Sequence, residues 1–329
     1  MTDAADHTMK VMLSAAPPLK RLTRPSVLPP LRICARDIAI VSAVARYRFL
    51  DSGQISQLDG GSHAQVLRRL KALWAHGFLD RPRHQHAYLA AFGDEGNHAL
   101  VYGLGRLGVH LLAETGVAVN DKLSWTQKNS RAGAPFLAHT IETAEAMIHF
   151  AAAAHAAGVL LIDHHELMPL LPEKTRALKN PFCTRVSVSL PKQRAPRVIG
   201  VVPDRLFSVA QGDARRNYAL ELDRGTMDIN ARSLAKASFR RKLLGYFHLW
   251  KQGLHAAQWN MKRFRVLTIT NSMKRIEHMI AAQNEVTNGT AAGLFLYSLP
   301  SEIARHGALG PAWLNATGER ITLIDGETH

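Results

Sequence analysis

Cysteine is nearly absent: Cys34 and Cys183 are the only two in 329 residues, far apart and in no paired metal-ligand spacing. A disulfide framework and a zinc site built on cysteine are therefore not expected, and a reducing cytoplasm fits. Long apolar runs are missing too. No segment is continuously apolar over the ~18 residues that a membrane crossing needs, so neither a transmembrane helix nor a secretory signal is expected. Acids are few, 26 Asp and Glu against 41 Lys and Arg, leaving a formal charge of +15. Such an imbalance favours a polyanionic partner, either nucleic acid or an acidic membrane surface. The shortage is most acute from Ile229 to Ile276, which holds no acid at all.

What is present is enough for a sizeable core, with 47% hydrophobic residues and a length suited to about two domains. Residues 1–30 read as a basic, proline-rich, flexible leader containing "PPLKRLTRP". From there "CARDIAIVSAVARYRFLD" has the apolar spacing of a helix and "SGQISQL" that of a short second one. "GGSHAQVLRRLKALWAHGFLDRP" follows, with Ser62 as N-cap of a third helix whose inner face carries Val66, Leu70 and Leu73. "FLDRP" and "HALVYGL" then read as two strands around a polar loop with His84 and His86, closed by the helix "RLGVHLLAE". This order predicts a winged helix-turn-helix over residues 31–118. Its third helix would read DNA through Ser62, His63, Gln65, Arg68 and Arg69, with Arg81 and Arg83 beside the wing.

"GLGRLG" places Gly103, Gly105 and Gly108 in dinucleotide-binding spacing, but no β-α-β unit surrounds it, so a turn and helix start is expected instead. Residues 119–134, with "KNSRAGAP", read as a polar linker. The remainder, 135–329, opens on an alanine-rich helix and continues as alternating strands and helices, which implies a mixed sheet covered by helices. The run His164, His165, Glu166 lacks the spacing of a zinc helix and reads as loop or surface strand.

One short stretch carries the chemistry. In "YALELDRGT" strand alternation sends Glu221 and Asp223 to one face, and the hairpin from "VVPDRLF" brings Asp204 beside them, so an acidic pocket is expected next to a basic helix over residues 234–252. Arg240, Arg241, Lys251, Lys262, Arg263 and Arg265 belong to the acid-free region and would track phosphates, with Tyr246, Trp250 and Trp259 interspersed for stacking or for the core.

The Pro-Asp corner followed by Glu-x-Asp resembles the PD-(D/E)XK nuclease pattern. Together with the N-terminal helices, "RKLLGYFHLW" and "FRVLTIT", the chain from about residue 35 to 300 is similar to the plasmid replication-relaxation family of bacterial plasmids and integrative elements. The resemblance implies an α+β protein, a winged helix-turn-helix followed by a mixed α/β nuclease-like domain. It implies Asp204 and Glu221, with Asp223, as ligands of Mg²⁺ or Mn²⁺ if the site is active, and Glu142 as a further acid. Where the pattern wants Lys, the chain has Asp223, so Lys236 or Lys242 would have to substitute in space. The expected role is a double-stranded-DNA-binding protein acting in replication, transfer or transcription control, without efficient cleavage. A metal-dependent endonuclease or nickase, and an adaptor for plasmid replication or transfer proteins, stay open beside it. A homodimer suits paired half-sites, and no membrane role is expected.

Overall fold

The computed structural model describes residues 22–85, 99–117, 124–189, 195–230 and 237–324. Most of the leader, His86, the start of the linker and Lys236 lie outside the described residues. The chain divides into two units, Met1–Ile141 and Glu142–His329.

In the first unit, α1 (Ala35–Tyr47) buries Ile40, Val41, Val44 and Tyr47, the stripe its apolar spacing demands. The sequence reading carried this helix onward. Instead Arg48 turns the chain at φ 74°, and β1 (Phe49–Asp51) begins. Asp51 then caps α2 (Ser52–Asp59) by accepting from the Gln54 amide, and left-handed Gly60 ends it. α3 (His63–His76) buries Val66, Leu70 and Leu73 as expected, with Ser62 at the N-cap position but making no side-chain cap. β2 (Leu79–Asp80) and β3 (Val101–Leu104) complete an antiparallel sheet in the order β1-β3-β2. α4 (Arg106–Glu114) follows directly.

The glycines of "GLGRLG" serve close packing. A Cβ at Gly105 would lie 2.3 Å from the Gly77 carbonyl oxygen, and one at Gly108 would lie 2.3 Å from that of Phe78. Gly108→Ala gains about 1 kcal/mol of helix propensity but pushes backbone against backbone, so thermal unfolding should show a net loss of about 1–3 kcal/mol. A raised melting temperature would refute this.

The expected polar hinge is instead partly helical. α5 (Trp125–Arg131) buries Asn129, which donates to Asp80 (3.1 Å) and to the Leu104 carbonyl (2.9 Å) and accepts from Arg48 (2.7 Å). A buried amide with every hydrogen bond made looks, in sequence, like a loop residue. The division between units falls within α6 (Ala134–Ala156), past the predicted linker.

The second unit continues with β4 (Leu160–Ile162), α7 (His164–Leu167), α8 (Glu173–Arg176), β5 (Thr184–Val188) and β6 (Arg197–Val201). β7 (Arg205–Gln211) and β8 (Ala214–Leu222) form the hairpin. α9 (Phe239–Lys251), α10 (Leu254–Trp259), β9 (Arg265–Ile269) and α11 (Met273–Thr287) follow. β10 (Phe295–Ser298), α12 (Pro300–His306), β11 (Trp313–Leu314) and β12 (Arg320–Ile321) end the chain. Seven strands form one mixed sheet, β12-β11-β10-β9-β8-β7-β4, with β8, β9 and β10 parallel.

β5 and β6 pair apart as a two-stranded ribbon. The ribbon packs on α9, where Gly245 permits the approach: a Cβ there would meet Val201 Cγ2 at 2.7 Å. The main sheet packs Leu206, Ala219 and Val266 into the core with α9 and α11. The alternate residues Phe207 and Tyr218 meet Phe150 of α6 and the Leu323 carbonyl. Among the described residues no helix is long and apolar enough to cross a membrane.

Candidate functional site

Glu221, one residue from the end of β8, is 2% exposed. Strand alternation turns it toward α9, and α9 answers with Lys242 and Tyr246, one helical turn apart on one face. The Lys242 ammonium donates to Glu221 Oε2 and the Tyr246 hydroxyl to Oε1. Ser238 sets the start of α9 by accepting from the Arg241 amide at 3.2 Å. These residues border a half-open cavity of about 180 Å³, lined also by Val201, Val202, Met227 and Arg241.

Burial dominates the electrostatics. It pushes the Glu221 carboxyl up to about 7 against the pull of Lys242, and the neighbouring Asp204 pushes the same way. Burial pulls Lys242 down, but Glu221 and Asp204 outweigh it and leave the ammonium at about 12. Lys242 thus keeps its proton through the neutral range, and Glu221 is the group that exchanges one. Tyr246 is pushed well up by burial and by Glu221, so it keeps its proton and donates it to the carboxyl.

The three carboxylates expected in one pocket are divided. Asp204 lies close enough to Glu221 to perturb it, yet its Oδ2 accepts from the Leu222 amide at 2.8 Å. Asp223 is just past the strand, where Arg275 of α11 binds both its oxygens and Thr270, just past β9, donates at 2.7 Å. Arg275 and Thr270 hold the Asp223 carboxyl below its usual range against the opposing effect of burial. Glu142 accepts from Arg224 at 3.1 Å.

Among the described residues no group of three or more His, Cys, Asp or Glu side chains is placed to hold a metal ion. Both oxygens of Glu221 and both of Asp223 are engaged by donors of this chain. An Mg²⁺ or Mn²⁺ ion at these carboxylates would have to compete with Lys242, Tyr246 and Arg275 for their oxygens.

The basic residues separate by partner. Arg240 pairs with Glu285 at 2.8 Å and Arg275 with Asp223, whereas Lys251, Lys262 and Arg263 are exposed and Arg265 is half-buried. Of the interspersed aromatics, Tyr246 and Trp259 are core and Trp250 alone is exposed, at 41%. His164, His165 and Glu166 form α7 rather than a surface strand, with Asp163 and Glu166 completing its capping box.

In the first unit Ser62, His63, Gln65 and Arg68 are exposed along the N-terminal half of α3. Ser56 Oγ lies 2.8 Å from His63 Nδ1, and Arg36 donates to Gln65 at 3.3 Å. Arg69 is drawn inward: it binds both oxygens of fully buried Asp37 and the Arg32 carbonyl. Arg81 stacks 3.8 Å from the Trp74 ring centroid and donates to Tyr102, while Arg83 is exposed.

A family model described as replication-relaxation matches residues 42–264, which is more than half of the chain. The chain belongs to the replication-relaxation family. No curated protein and no solved structure matches it. The family match takes in the second half of α1, α2 to α5, the β7–β8 hairpin and α9, and with them Glu221, Lys242 and Tyr246. Tyr246 was the residue of the cavity that sequence reasoning undervalued. Its signal was its spacing of one helical turn from Lys242.

Proposed function

We propose that this member of the replication-relaxation family is a double-stranded-DNA-binding protein of a plasmid or mobile element, acting in its replication, transfer or transcription control. The observation that carries the reading is the exposed polar half of α3. It follows α2 as the second helix of a helix-turn-helix pair, and an antiparallel hairpin follows it in winged-helix order. Ser62, His63, Gln65 and Arg68 are the base and phosphate contacts of this reading, with Arg83 beside the wing. Arg69 and Arg81 support it from within, by bracing α1 and Trp74.

Titration with duplex DNA is expected to show affinity falling steeply as salt rises from 50 to 200 mM, by about 10³ or more where at least six phosphates are neutralised. Arg68→Ala weakens binding by about 1–3 kcal/mol if it reads a base edge, or reduces the salt slope by about one if it holds a phosphate. Binding that ignores salt, or that Arg68→Ala leaves untouched in both affinity and slope, would sink the reading.

The second unit has the strand-corner-strand acids of a nuclease-like domain, and we read it as one without efficient cleavage. Glu221 is spent on Lys242 and Tyr246. Supercoiled DNA incubated with Mn²⁺ and the protein is expected to stay intact. Nicking by the wild type that Glu221→Ala abolishes would reverse this reading.

A further inference from the structure

The main sheet of the second unit is electrically polarised along β8. Glu221 sits near the end of that strand and Asp204 beside it, while Arg215 and Arg216 sit near its start. Six residues of strand put about 20 Å between Arg215 and Glu221. The parallel pairing of β8 with β9 sets Arg265 opposite Tyr218, so the segment before β9, with Lys262 and Arg263, comes to the same end. Arg216 and Arg265 both act on Tyr218. Five cations thus gather at one sheet end, from two stretches of chain that are far apart in sequence. Among the described residues none of the five is in an ion pair, and Asp213, in the exposed β7–β8 turn, is the acid nearest them along the chain.

The segment from Asn260 to Phe264 is also held in place. Arg215 donates to the Asn260 carbonyl at 2.8 Å and Asn217 to that of Arg263 at 2.8 Å, while His255 Nε2 lies 3.2 Å from the Lys262 carbonyl. Met261 and Phe264 are buried beneath it. Its backbone acceptors are consumed inward and its apolar side chains anchor it, so Lys262 and Arg263 are presented outward from a braced loop. An ordered array loses less entropy on binding than flexible side chains on a mobile loop would.

We propose that this sheet end, Lys262, Arg263 and Arg265 with Arg215 and Arg216, is a second nucleic-acid surface that grips the phosphate backbone, distinct from α3 and from the Glu221 cavity. Lys262 and Arg263 are the exposed cations of the group, Arg263 with the planar fork that suits phosphate oxygens, while Arg215, Arg216 and Arg265 are half-buried and add positive potential behind them. The two apolar side chains of the loop, Met261 and Phe264, are buried and unavailable to enter a bilayer, and the exposed Leu160 and Leu170 nearby are single aliphatic side chains without an exposed aromatic anchor. A surface of charge with little apolar content fits a regular polyanion.

The inference rests on the reading of the protein as DNA-binding, and the test separates the two. Duplex DNA is titrated at salt concentrations from 50 to 200 mM with the full chain and with Lys262→Ala/Arg263→Ala. A charge-matched control, Lys274→Ala/Arg305→Ala, removes exposed cations that follow the opposite ends of β9 and β10. The salt slope of the loop variant is expected to shrink by about two, with the control unchanged. All four positions are exposed, and equal urea midpoints confirm that the variants are folded.

Wild-type binding with an unaltered slope in the loop variant overturns this surface and leaves the DNA reading standing, whereas no wild-type binding overturns both. Equal loss in loop and control variants makes the effect one of net charge and overturns the site. Phosphatidylserine vesicles that retain the wild type but not the loop variant, with DNA binding unaffected, overturn it in favour of a membrane surface.

Discussion

Lys242→Ala is expected to lower the unfolding free energy by about 3–5 kcal/mol at pH 8 and by far less at pH 5, read from urea denaturation at each pH. The reason lies in what the substitution leaves behind. Glu221 stays buried, with the Tyr246 hydroxyl still donating to it. At pH 8 it must either keep an uncompensated charge in the interior or hold a proton that a solvated carboxyl would release. At pH 5 the proton is available and the penalty largely disappears. The double variant Glu221→Gln/Lys242→Ala, with no buried charge, should recover most of the loss at pH 8. An equal loss at both pH values would show that only the packing of the lysine stem had been measured.

Glu221→Gln should gain stability relative to the wild type by about 3 kcal/mol as pH rises from 4.5 to 7. A carboxyl raised from 4.5 to about 7 on folding favours the folded state fully below 4.5. That contribution is lost as pH climbs through 7, which amounts to about 3 kcal/mol. The glutamine can offer its oxygen to Lys242 and its amide to the Tyr246 hydroxyl, so the network survives without titrating.

His164 works in the opposite sense. Burial, assisted by Arg205 and opposed by Asp163, pulls it down to about 4, so it adds stability as pH rises from 4 to 6.5. The wild-type profile is therefore levelled by two opposed groups, and the difference between wild type and Glu221→Gln carries the signal. A difference independent of pH would mean that Glu221 is ionised throughout.

Much of the fold was legible because it is written in local periodicity. The apolar stripes of α1 and α3, the alternation of β8 and the strand-helix-strand order of the second unit each depend on neighbours within a turn or two. The elements missed are those whose residues look polar or ambiguous alone. Apolar spacing alone runs β1 into the preceding helix, and α5 reads as a hinge because its Asn129 finds Asp80, Leu104 and Arg48 only in the folded unit. The β5–β6 ribbon was not separated from the main sheet, since strand-forming residues do not say which sheet they join.

At the site the division is sharper. Residue types and alternation alone placed Glu221 and Asp204 together beside a basic helix, because a hairpin and a period of two leave few other arrangements. Tertiary structure alone decided which cation each acid received: Lys242 for Glu221, Arg275 for Asp223, Arg224 for Glu142 and Arg69 for Asp37. A guanidinium or ammonium on a long side chain can satisfy any carboxylate within reach, and reach is set by the packing of helices that lie 20 or more residues away in the chain. Charge content is a property of the sequence, whereas charge pairing is a property of the fold. That is why an acid-free run of residues foretold a basic surface but could not say that Arg240 and Arg275 would be neutralised while Lys262 and Arg263 stayed exposed.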